Sequence, residues 1–276
     1  MNPHSRHPSS LLEMANSFRR NRQLLVQMTR RDVVGRYRGS LIGLAWSFFN
    51  PLLMLAIYTF VFLTIFKARW DVGDDSTRAG FAVILFVGVI VHGLLAECIT
   101  KAPGLVLGNA NYVKRVKFPL EILSWVTIGS ALFHALVSSM VLLCVQLLLG
   151  HGIPLTAMLF PILLFPLVLV AAGFTWILSA TSVYVRDIGM LTGLLATALM
   201  FLAPVFYPMS AIPSEYRWIA MLNPLTFIIE QGRAVLIAGQ LPDWPGLLLY
   251  SAIATLFAWL GFWWFQRTRN GFADVI

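Results

Sequence analysis

The sequence predicts an all-α polytopic membrane protein, on three observations. Of 276 residues, 58% are hydrophobic and only 12% are charged, about half the charge of an average soluble domain. The ionised residues are separated by long uncharged runs: 28 residues between Arg38 and Lys67, 18 between Arg78 and Glu97, 64 between Glu121 and Arg186, 27 between Asp187 and Glu215, and 23 between Asp243 and Arg267. The basic residues divide unevenly between the loops that those runs define. So little charge does not cover a soluble globule of this size. Intrinsic disorder is excluded too, because disorder needs few apolar groups.

A bilayer requires about 20 apolar residues per helix. The 64-residue run therefore holds two spans, divided at Gly150-His151-Gly152-Ile153-Pro154, where Gly and Pro interrupt the helix. Six transmembrane helices result, at about 41–66, 80–100, 120–149, 155–181, 188–207 and 245–266. An even number puts both termini on one side. Fifteen of the 20 Lys and Arg fall on that side and five on the other, whereas the 12 acids split six and six. The positive-inside rule then gives an N-in/C-in topology. The net charge of +8 belongs to topology and anionic headgroups; nucleic acid is excluded as a partner, since no soluble domain is present to bind it.

Residues 1–40 read as a cytoplasmic tail and 41–276 as a single transmembrane domain. From Ser17 to Arg38 the tail predicts an amphipathic interface helix on the membrane surface, with Phe18, Leu25 and Met28 near one face and Arg19, Arg20, Arg22, Arg30 and Arg31 elsewhere. A disordered topology tail is the alternative. Gly35 and Gly39 then permit a change of direction.

The first span carries Asn50-Pro51, a proline kink, and many aromatics. Tyr58, Phe62 and Phe66 among them are candidate channel aromatics that offer flat faces to sugar; packing and an interfacial belt account for them equally well. The cytoplasmic gate loop, 101–119, has a short helix at its middle and ends in Lys114-Arg115-Val116-Lys117-Phe118-Pro119. Those cations either receive phosphate or only set orientation. Arg186-Asp187 lies in a very short loop, a lever for a partner that pushes from below.

In the external segment, 208–244, Asn223-Pro224 splits two apolar stretches, neither long enough to cross. Short re-entrant helices before the last span fit this pattern, with a surface-lying loop as the alternative. Glu230 and Arg233, spaced i, i+3, pair on one helical face.

Several chemistries are missing from the sequence. There is no G-x-x-x-x-G-K-[ST] phosphate loop and no H-E-x-x-H metal pair, so no catalytic residue and no metal ligand is assigned. His92 and His134 lie within spans and read as polar contacts between helices in preference to a proton relay. Cys98 and Cys144 fall near opposite ends of their spans, too far apart to pair. An enzyme, a channel, a secondary transporter and half of an ATP-driven pump stay open as classes, with the chemistry expected from a partner.

The run Arg36-Tyr37-Arg38-Gly39-Ser40-Leu41-Ile42-Gly43, with Trp46 and Asn50-Pro51-Leu52 behind it, resembles the start of type-2 ABC export permeases for polysaccharides. Tyr112 to Pro119, Arg186-Asp187-Ile188, Pro204-Val205-Phe206-Tyr207-Pro208 and Leu222-Asn223-Pro224-Leu225 continue the likeness in order, over about residues 20–270. The resemblance implies a transport permease and no enzyme: a homodimer bound to two copies of a separate nucleotide-binding ATPase subunit. That partner holds ATP and Mg, so this chain has no cofactor of its own. It also implies a bacterial inner membrane and a lipid-linked glycan substrate: undecaprenyl-pyrophosphate-linked O-antigen first, teichoic acid or capsule next. A membrane flippase or transferase working without ATP is the reading from a different class.

By position, the resemblance makes Arg30, Arg31, Asp32, Arg186 and Asp187 candidates for coupling to the ATPase. It makes 103–113 a cytoplasmic gate helix, and Tyr207, Asn223, Pro224, Glu230 and Arg233 parts of a periplasmic gate. The phosphate of the lipid linker requires cations near the cytoplasmic mouth, for which Arg36, Arg38, Lys114, Arg115 and Lys117 are the candidates.

Overall fold

The computed structural model describes residues 9–65, 78–114, 118–150 and 152–276, and every regular element among them is helical. Helix α1 (Leu11–Arg20) starts at Ser10, whose Oγ accepts from the backbone N–H of Glu13 at 3.1 Å, at the spacing of a capping box. It stops at Asn21, where the side-chain amide donates to the carbonyl of Ser17 at 2.9 Å. Such a local bond competes with the helical ladder. The single helix expected over 17–38 is therefore two, with α2 (Arg22–Arg36) following the break.

The expected lipid-facing stripe also has a different neighbour. Met28 is buried, and α2 lies so close to α6 that a Cβ on Gly129 would sit 2.9 Å from Thr29. The chain itself covers much of that stripe.

Two glycines with positive φ, Gly39 (87°) and Gly43 (50°), turn the chain into α3 (Trp46–Thr59), which continues as a π-helical stretch over Phe60–Ile65. Pro51 sits within α3. Helix α4 (Arg78–Leu107) has 30 residues, about 45 Å at 1.5 Å per residue, against a hydrocarbon core of about 30 Å. It runs through the start of the expected gate loop, so that 101–107 are helical. Only the short α5 (Ala110–Val113) remains of the loop helix.

Helices α6 (Ile122–Leu148) and α7 (Phe160–Tyr184) occupy the next two expected spans. Helix α8 (Ile188–Leu202) has 15 residues, about 22 Å. It ends earlier than expected because Ala203 precedes Pro204 and is extended (φ −96°, ψ 155°), the conformation that a following proline favours. Among the described residues, five helices have the length and apolarity to cross a membrane, and α8 is the shorter apolar one.

Two short helices come next, α9 (Arg217–Leu222) and α10 (Pro224–Leu236), then α11 (Trp244–Thr268) and α12 (Phe272–Val275). The core lies between α4, α7 and α11. A Cβ on Gly261 of α11 would fall 2.6 Å from the Gly173 carbonyl of α7, so only glycine lets these two helices meet this closely. Trp176 fills the centre, edge-on to Trp125 and Phe262.

Candidate functional site

Two polar sites lie at opposite ends of the bundle. At the end formed by the start of α4 and by α10, Asn223 caps α10: its Oδ1 accepts from the Leu225 N–H at 3.0 Å, while its Nδ2 donates to the Leu199 carbonyl of α8 at 2.8 Å. Pro224 occupies the first turn, where its missing N–H costs nothing, and its carbonyl accepts from the Tyr250 hydroxyl at 2.7 Å.

Arg233 is 8% exposed. It donates to Glu230 at 2.9 Å, to the Ile84 carbonyl of α4 at 3.2 Å, and to the Val205 carbonyl at 3.1 Å. One guanidinium thus joins α10, α4 and the non-helical stretch after α8, using its planar fork of donors. Tyr207 in that stretch donates to the Phe201 carbonyl at 2.6 Å. The Phe206 ring stacks on Phe62 (5.3 Å, 8°) and lies 6.0 Å from Tyr58.

Of the sequence candidates, Tyr58, Phe62 and Arg233, with Glu230 through Arg233, meet the short segment 203–207 that contains Tyr207, whereas Asn223 and Pro224 tie α10 to α8 and α11. Tyr58 of α3 and Phe62 of the π-helical stretch make packing contacts there. Phe66 lies outside the described residues. Helix α10 is largely buried against α4 and α7 and is no surface-lying loop.

The other end carries the basic residues. Glu97 of α4, 15% exposed at its side chain, accepts from Arg36 of α2 at 2.5 Å, from Lys101 at 2.9 Å and from Nδ1 of His134 in α6 at 2.9 Å. With Nδ1–H donating to Glu97, Nε2 is left to accept from the Tyr37 hydroxyl at 3.3 Å. Asp32 meets Lys101 at 3.4 Å, and Arg31 donates to the Tyr112 hydroxyl of α5 at 3.4 Å. The linker candidate Arg36 is therefore engaged by a carboxylate. Arg30, Arg38, Lys114, Arg186 and Asp187 are exposed; Arg115 and Lys117 lie outside the described residues.

A second carboxylate, Glu121, is 4% exposed. It accepts from Arg269 at 2.8 Å and from the Ser17 hydroxyl at 2.8 Å, and its carbonyl accepts from Trp176 Nε1 at 3.3 Å. Sequence reasoning assigned no role to either glutamate. The available signal was that each is an acid closing a long uncharged run, which within or beside a span is functional or structural by default.

The model of the ABC-2 type transporter family matches residues 23–237, most of the chain. This chain belongs to the ABC-2 type transporter family. The matched stretch runs from α2 to the end of α10 and so contains both the Glu97 and the Arg233 sites of this ABC-2 protein. Family membership and the apolar helices make it a multi-pass protein of a bacterial inner membrane and the membrane component of a transporter.

Among its relatives, the O-antigen export system permease protein RfbA of Myxococcus xanthus is 24% identical over 268 residues, covering 96% of this chain and all of that protein. The protein of the same name from Klebsiella pneumoniae is 24% identical over 262 residues, covering 92% of this chain and 95% of its own length. The ABC-2 chain is thus similar to these permeases from end to end.

Proposed function

We propose that two copies of this chain form the membrane pathway of an ATP-driven exporter that moves a lipid-linked polysaccharide out of the cytoplasm, with undecaprenyl-pyrophosphate-linked O-antigen as the substrate. The observation that carries this reading is the end-to-end similarity to two permeases named for O-antigen export. Two copies of a separate ATPase subunit, holding ATP and Mg, supply the energy, since the sequence has no phosphate loop. They dock on the exposed cations and acids of α2 and of the turn before α8: Arg30, Arg31 and Asp32 with Arg186 and Asp187.

The second copy covers α3, whose span is only 17% buried in one chain, against 72% for α4. A pyrophosphate is prohibitively costly to bury without partners. Arg38, Lys114, Arg115 and Lys117 receive it at the cytoplasmic mouth, whereas Arg36 is neutralised by Glu97. The segment 203–207 with α9 and α10 closes the far end, with Arg233 as its central tie.

The test is to purify the tagged chain in a mild detergent, identify co-purifying proteins, and take a mass spectrum of bound lipids. An ATPase subunit and a polyprenyl-pyrophosphate glycan are expected; the mass of the glycan separates O-antigen from teichoic acid or capsule. A chain that purifies alone and moves the glycolipid across vesicles without ATP overturns the reading. Replacing Lys114, Arg115 and Lys117 together by Gln lowers glycan export by at least tenfold; unchanged export removes the linker site.

A further inference from the structure

The connection between α2 and α3 is a poor mechanical link. It contains Gly39 and Gly43, both in the left-handed region and both with open space where a Cβ would be, so the backbone there bends easily. A push on α2 is absorbed before it reaches α3 along the chain.

Stiffer routes are the direct packing of Thr29 on Gly129 of α6 and a set of side-chain bonds. Three residues in the last two turns of α2 are bonded to other elements: Arg31 to Tyr112, Asp32 to Lys101, and Arg36 to Glu97. The last is the shortest and the most buried. It continues at 2.9 Å into His134 of α6, so one carboxylate joins α2, α4 and α6. Glu97 lies about 28 Å along α4 from Arg78 at 1.5 Å per residue, inside the apolar span Ala82–Leu107. Ionisable groups at such a depth mark function.

The network forms one wall of a half-open pocket of about 200 Å³ between α2, α3, α4 and α6, whose other lining includes Pro51, Met54, Ile90 and Gly93. Here the unfilled space adjoins the proline of α3, where the ladder already lacks a bond, and a Cβ on Gly93 meets nothing within 4 Å.

We propose that Glu97 is the positioning residue that transmits displacement of α2 into the bundle, and that α3 bends at Pro51 into the cavity beside it. The proposal rests on the reading of α2 as the contact for the ATPase. Displacing α2 pulls Arg36, and Glu97 passes the load to α4 and α6. The walls of the cavity shift, and α3 gives way at its weakest turn.

The test uses the full complex with its ATPase subunit in proteoliposomes, and measures ATP turnover and glycan export together. Glu97→Gln is expected to keep the complex assembled and ATP turnover within twofold of wild type, while export falls at least tenfold. Arg36→Gln gives the same split, and the double variant is no worse than either single one, since both cut one link. Gly93→Leu fills the cavity and likewise uncouples export from turnover.

Wild-type export in Glu97→Gln overturns the proposal. It is the result expected if Arg36, freed from its carboxylate, simply bound the linker. Parallel loss of turnover and export also overturns it, as does multiplication of the two single losses. If Glu97→Gln does not assemble, Arg36→Gln and Gly93→Leu decide by the same readout. Failure of the underlying reading looks different, because then no ATPase subunit assembles with the wild-type chain.

Discussion

Glu97 and Glu121 are both acids at the basic end of the bundle, and each gathers an arginine from a distant part of the chain. Their surroundings differ. Glu121 is sealed: its side chain is 6% exposed, its arginine 13%, and its neighbours are packed rings. Glu97 borders empty space, and the arginine that reaches it is 39% exposed. An enclosed pair has nowhere to go and acts as a clamp. A pair beside a cavity, with one partner on an outer helix, is arranged to move. The same chemistry is thus enclosed by packed rings in one place and borders a half-open pocket in the other.

The comparison predicts that stability is sensitive at Glu121 and nearly insensitive at Glu97. The largest effect is expected from Arg269→Ala, which leaves a buried carboxylate short of its counter-charge and lowers stability by about 3–5 kcal/mol. A clear drop in the detergent melting temperature of the purified chain checks it, and an unchanged melting curve breaks the contrast. Ser17→Ala removes one hydroxyl from the same carboxylate and costs about 1 kcal/mol, read in the same melting series. The smallest effect is expected from Lys101→Gln beside Glu97. Its ion pairs are partly exposed, so stability changes by less than about 0.5 kcal/mol; a loss as large as that of Arg269→Ala would place both glutamates in one class.

The long uncharged runs coincide with the five helices that are long and apolar enough to cross a membrane, because a bilayer admits little else, and α4 continues past its run to Leu107. That overshoot was hidden because Lys101 and Pro103 look like a loop, yet a helix leaving the membrane accepts charge, and a proline near its last turn disturbs few bonds. The short α8 was hidden by the apolar composition of 203–207, which leaves the helix at Ala203 and is tied at Val205 to Arg233. At the candidate site, the Glu230–Arg233 pair was legible because its partners are three residues apart on one helix. The carbonyls of Ile84 and Val205 that complete it carry no mark in the sequence. Glu97 and Glu121 were only partly legible for the same reason: apart from Lys101, four residues on along α4 from Glu97, their partners lie 61 and 37 residues away in one case, 148 and 104 in the other.

The Glu121 clamp has a further consequence for biosynthesis. Helix α1 is held by Ser17 on Glu121 and by the Ser9 carbonyl, which accepts from Trp259 of α11 at 3.0 Å, and Glu121 itself waits for Arg269. Chains emerge from the ribosome amino end first, so α1 is made early but its seat is finished only when the last long helix is in place. Helix α1 can therefore settle on α6 early, through Phe18 on Trp125, but its full set of contacts closes only once α11 and Arg269 are in place.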